Sequence, residues 1–128
     1  MSDQIEAYRL ARIRSTPYPN RLLERSVTLP ETQLRIVNLV VRATLGWKGG
    51  APGTRRSTAY FRYAYLMQQV ERSSREAVSN ALVSLIAASL VEAVDDTGQL
   101  LSTSTFCQPY RRGIRLRIGR LWVEEIGG

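Results

Sequence analysis

Apolar positions recur with a helical period three times along this chain, and with a period of two near its C-terminal end. Between Glu31 and Leu45, Leu34, Val37, Val41 and Leu45 share one side of a helix, while Ile36, Leu39, Val40 and Ala43 cover much of the rest. A helix apolar over most of its circumference packs on several sides, so this one is predicted to be central, with Arg35, Asn38 and Arg42 as its wet edge. Thr28 and Glu31 stand at capping-box spacing ahead of it, proline is acceptable in a first turn, and Gly46 is a natural stop. Upstream, residues 1–16 are polar and carry Arg9, Arg12 and Arg14. They read either as a flexible basic arm or as a partly docked terminus. Thr16-Pro17-Tyr18-Pro19-Asn20 is extended or turned, because each proline fixes its own φ and disfavours helix just before it. Arg21–Arg25 then has room for a short helical turn that plugs Leu22 and Leu23 into the core.

Lys48–Arg56 is a glycine-rich basic loop without periodicity. Ser57–Phe61, β-branched and aromatic, reads as a short strand. A short helix of about Arg62–Val70 follows, with Tyr63, Leu66, Met67 and Val70 as its buried stripe; its aromatics are assigned to the core and not to stacking. Glu71–Ser74 connects it to a second helix over 74–87. There Ser73 and Glu76 have capping-box spacing, and Val78, Leu82, Leu85 and Ile86 form the apolar stripe. Arg75, Ser79, Asn80 and Ser84 lie on or beside the other face. Two helices joined so tightly, the second capped and polar on one side, form a helix-turn-helix, with Glu71 or Arg72 where glycine is usual. After Leu90 the period becomes two. Val91–Asp95 reads as a strand, Asp95–Gly98 as a turn, and Leu100–Phe106 as a second strand or a long wing loop. Phe106–Gly113 is a basic, aromatic tip, after which Ile114, Leu116 and Ile118 alternate with Arg115 and Arg117. The fold class predicted is α+β, mostly α: a winged helix-turn-helix with a three-helix core and a small antiparallel β-wing. It is one domain over 1–128 with a C-terminal tail at 119–128. That tail, Leu121-Trp122-Val123…Ile126, packs in cis or pairs with a second copy as a homodimer.

Charge changes the picture. A chain of 128 residues carries a net charge of +7 with pI near 10.3, and 17 of its 18 basic residues are arginine. Such a balance points to an anionic partner, and arginine's planar fork suits phosphate and guanine. Histidine is missing and Cys107 is the single thiol. Ser-His-Asp chemistry, Cys/His zinc sites and an internal disulfide are thereby excluded, and no cofactor or metal is expected. Asp95-Asp96 beside Gly98 is a turn and not a catalytic pair. Gly46…Gly49-Gly50…Gly53 lacks the Gly-Lys-Ser/Thr of a phosphate loop. The chain is read as a binding protein, not an enzyme. It has no signal peptide or apolar run long enough for a membrane span and is therefore placed in the cytoplasm.

The partner predicted is double-stranded DNA. Base contacts are assigned to Arg75, Ser79, Asn80, Ser74, Glu76 and Val83, with Arg75 on guanine and Asn80 on an adenine edge. Phosphate contacts are assigned to Arg72, Arg111, Arg112, Arg115, Arg117, Arg55 and Arg56. The plainer reading of the same residues is a solvated helix and a strand face whose arginines protect an edge.

Thr16-Pro-Tyr-Pro-Asn20 with Leu22-Leu23, then Leu34…Val41-Arg42-Ala-Thr-Leu-Gly-Trp47, resembles the opening of the phage replication protein O N-terminal domain family. The likeness continues through Tyr65-Leu66-Met67, Arg72-Ser73…Ala77–Ala81 and Leu90-Val91, about Pro17 to Ile118. It implies a winged helix that binds origin DNA and helps load a replicative helicase. In that family a further C-terminal region contacts the helicase machinery. The chain is read as lacking one, which leaves a stand-alone replication or mobile-element accessory, a small transcriptional regulator and a protein-interaction winged helix open together.

Overall fold

A computed structural model of the chain describes residues 18–47, 55–71, 74–102, 111–120 and 122. The expected arm at 1–16, most of the loop at 48–56, Arg72, Ser73, most of the tip at 106–113 and the tail beyond Trp122 lie outside the described residues. Those described form an α+β arrangement, about half helical, of four helices and a three-stranded antiparallel sheet. In chain order these are α1 (Asn20–Ser26), α2 (Glu31–Thr44), β1 (Ala59–Arg62), α3 (Tyr63–Gln69), α4 (Arg75–Ala87), β2 (Val91–Val94) and β3 (Gly113–Ile118).

The central helix is α2. Ile36, Val37, Val40, Val41 and Thr44 are buried, Leu34, Leu39 and Ala43 are partly so, and Asn38 and Arg42 face water. Its start corrects the capping-box reading: Pro30 occupies the N-cap position and no side chain caps the helix. The Thr28 hydroxyl instead donates back to the Arg25 carbonyl at 2.9 Å, and Glu31 pairs with Arg35 one turn on at 2.6 Å. On α1 Leu22 is fully buried but Leu23 is 49% exposed. Neighbouring residues on a helix point about 100° apart, so only one of the two leucines can face inward, and Ser26 shares Leu22's side.

α4 begins one residue later than its capping box predicts. Ser74 is the N-cap and accepts from the Ala77 amide at 3.4 Å. Between α3 and α4, Glu71 adopts φ +57°, the left-handed conformation that a glycine usually supplies in such a turn. Val78, Ala81, Leu82 and Leu85 bury α4 against α2, α3 and β2, each leucine contributing about 1.5–3 kcal/mol of burial.

The sheet runs β1-β3-β2. Ala59 faces Leu116 and Phe61 faces Ile114 on one side; Ala93 faces Leu116 and Val91 faces Ile118 on the other. All these side chains join the core, so the inner face of the sheet carries the helices. β1 starts two residues later than expected, and Tyr60 is 52% exposed, unlike the core aromatics Phe61 and Tyr63. Past β2, Asp95–Gly98 is a turn: the Asp95 carboxylate accepts from the Thr97 hydroxyl and from the Thr97 and Gln99 amides. Leu100 then bridges back to Val94. At the end of β3 the Gly119 amide donates to the Leu90 carbonyl, and Trp122 Nε1 donates to the Ser89 carbonyl at 3.0 Å. Trp122 thus packs in cis against the end of α4.

Candidate nucleic-acid interface

The polar face of α4 is open. Ser74, Glu76, Asn80 and Ser84 are exposed, Arg75 and Ser79 are half-buried, and Val83 is half-buried because it leans on the core. Of the residues predicted to read bases, Val83 therefore sits on the margin of this face and the others lie on it or at its start.

Arg75 is not a loose cation. Its guanidinium lies 4.1 Å from the centroid of the Tyr63 ring, an attraction worth about 0.5–2 kcal/mol depending on how much water is excluded. Tyr63 is 3% exposed, and its amide donates to the Arg112 carbonyl at 2.9 Å. Arg111 Nε donates to the Gly113 carbonyl, and the β1–β3 register sets Arg62 opposite Gly113. Arg75 and the Arg111–Arg112 stretch are thus tied together through Tyr63 and Gly113 beside the N-terminus of α4, whereas Arg62 alternates outward with Tyr60 onto the sheet face away from α4. Arg62 was not among the predicted phosphate contacts. The signal that could have found it was the alternation of Ala59–Arg62, which puts Tyr60 and Arg62 outward together, once β1 is started at Ala59.

The strand arginines are placed differently. Arg115 and Arg117 alternate with buried Ile114, Leu116 and Ile118, so they occupy the sheet face away from α4. Arg117 Nε donates to Glu92 Oε1 at 2.8 Å across the β2–β3 ladder, and both side chains are only about one-fifth exposed. Arg115 donates to the Thr58 hydroxyl at 3.2 Å, with Asp96 3.9 Å from its buried Nε. These two side chains serve the sheet's own outer face. Arg55 and Arg56 are exposed, with Arg56 5.8 Å above the Trp47 ring.

The chain matches no family model, no curated protein and no solved structure. Among the described residues no helix is long and apolar enough to cross a membrane. A shallow depression of about 310 Å³ opens between α2 and α3, lined by Arg35, Asn38, Leu39, Arg42 and Gln69. It is small and open, and Arg35 within it is already paired with Glu31 and approached by Glu71 at 3.7 Å.

Proposed function

We propose that this chain is a winged helix-turn-helix protein that binds duplex DNA with sequence preference, with α4 in the major groove. From α2 onward the order helix, strand, helix, helix, strand, strand, with the first strand beside the last, supports that fold. The observation that carries the reading is the open polar face of α4 beginning where Tyr63 ties Arg75 to the Arg111–Arg112 stretch. A slim polar helix can approach base edges while arginines at its start hold the phosphates that fix its register. Asn80 pairs with an adenine edge and Arg75 with guanine, while Ser74, Ser79 and Glu76 contact base or phosphate. Arg111 and Arg112 grip the backbone, and Arg55 and Arg56 extend that grip. Arg115 and Arg117 are left out, because both lie on the sheet face away from α4, where Arg117 is bonded to Glu92 and Arg115 donates to Thr58. The likeness at Arg42–Trp47 and Ala77–Ala81 supports a role in the cytoplasm as an accessory to replication of a phage- or plasmid-type element.

The test is selection of bound duplex fragments, followed by affinity measurements across salt. Log affinity should fall linearly with log salt by about 0.9 per phosphate contacted. Asn80→Ala should cost about 1–3 kcal/mol of discrimination, whereas Arg112→Ala should weaken all sequences alike. Salt-independent or undetectable duplex binding, with a tight protein partner instead, would make this a protein-interaction domain and overturn the proposal. Deletion in the host separates roles: altered copy number of the element marks replication, altered transcripts alone a transcriptional regulator.

A further inference from the structure

The outer face of the sheet divides into a closed half and an open half. On the β2 side Val94 is fully buried, and Glu92 and Arg117 are bonded to each other. On the β1 side Tyr60 is 52% exposed, and Arg62 is exposed. A Cβ added to Gly113 would fall 2.3 Å from the Tyr60 hydroxyl and 2.4 Å from its Cζ. The far end of the tyrosine ring therefore rests on bare glycine backbone, one side of it against the sheet and the other toward water. Tyr60 stands opposite Arg115 and Arg62 opposite Gly113, so Arg62 and Arg115 share the ring's face of the sheet.

A flat, half-exposed aromatic with arginines on the same face matches the chemistry of an unpaired nucleotide: a base face stacks on the ring while a cation holds a phosphate. An intact duplex offers no base face to such a ring. We propose that this patch is a second nucleic-acid site, which takes a single strand, one base stacked on Tyr60 and a flanking phosphate on Arg62. It lies on the opposite side of the sheet from α4, whose buried residues share the inner core with Ile114 and Leu116. The proposal stands whether or not α4 reads duplex DNA.

Fluorescence anisotropy with a labelled oligothymidylate of about a dozen nucleotides, a length within the usual site size of single-strand folds, tests it. Wild type and Tyr60→Phe should bind alike. Tyr60→Leu, which keeps apolar cover over Gly113 but removes the stacking ring, should bind roughly 5- to 150-fold more weakly, the span of one base–aromatic stack. Duplex affinity should be unmoved by Tyr60→Leu, and Asn80→Ala should leave the single strand bound as before. No oligothymidylate binding by wild type, an unchanged Tyr60→Leu, or equal losses on single strand and duplex would each overturn the proposal. Should Tyr60→Leu lack a cooperative melt, photocrosslinking of wild type to an oligonucleotide carrying 5-iodouracil decides. A crosslink at Tyr60 supports the site, and crosslinks only elsewhere refute it.

Discussion

The Glu92–Arg117 pair gives the sharpest single prediction, because it bears on both stability and binding. The two residues are directly opposed in the β2–β3 register, 2.8 Å apart, with side chains 21% and 19% exposed. At that separation the gross Coulomb attraction is about 6 kcal/mol for an effective dielectric near 20, and most of it offsets desolvation. Breaking a fully buried pair costs about 3–5 kcal/mol, while a fully exposed pair contributes about 0.2–1 kcal/mol. One-fifth exposure lies nearer the buried limit but keeps some water at hand. Glu92→Ala and Arg117→Met should therefore each cost about 2 kcal/mol, a fall in Tm of roughly 5–10 °C. A double-mutant cycle should return a coupling of about 1–2 kcal/mol. Urea unfolding followed by circular dichroism measures this as a shift in midpoint at constant slope. The binding half follows from the same geometry. Arg112→Met should lower the salt slope of duplex affinity by about 0.9, one phosphate, and Arg117→Met should leave it unchanged. A coupling below about 0.5 kcal/mol, or equal slope changes for the two arginines, would refute the reasoning.

Three further outcomes follow from local geometry. A Cβ at Gly119 would lie 2.0 Å from the Ser89 carbonyl oxygen, so Gly119→Ala should destabilise by about 1–3 kcal/mol or more in the same urea assay. Glu71→Gly should stabilise by about 0.5–1 kcal/mol by relieving its left-handed φ, since the 3.7 Å approach to Arg35 that it removes is at the surface and worth little; a loss of stability would count against the strain. The Thr97 hydroxyl first, then the Gln99 amide, holds the Asp95 carboxyl below its ordinary value of 3.8. A depressed carboxylate contributes stability above its unfolded value and loses it as pH falls through the folded one. NMR titration should accordingly place Asp95 below 3.8 and Thr97→Ala should move it up.

Much of the fold is legible in the residue pattern because burial enforces it. The stripe Val78, Leu82 and Leu85 on α4, and Ile114, Leu116 and Ile118 on β3, can be satisfied only by a helix and a strand with one face inward. Helix starts were less legible. Ser73 and Ser74 are chemically equivalent cap candidates, and only the path of the backbone selects Ser74. At Thr28 the correct spacing to Glu31 misled, because Pro30 takes the cap position and Thr28 has a nearer acceptor in Arg25. The geometry of the candidate site is only partly legible for a related reason. Alternation predicts that Arg115 and Arg117 share a face, but strand register across some 25 residues decides that Glu92 meets Arg117. Likewise the placing of Tyr63 beside Arg112 and of Tyr60 over Gly113 depends on pairing β1 with β3, which no local pattern encodes.

Tyr63 is where these pieces join. Its ring carries Arg75 at the head of α4, and its amide holds the Arg112 carbonyl at the entry to β3. Any tilt of the helix is therefore transmitted through one aromatic side chain to the stretch that bears Arg111 and Arg112. The exposed positions farther along α4, Asn80 and Ser84, lie clear of that hinge pin. They can be exchanged to retarget the surface while the mount that aims it stays fixed.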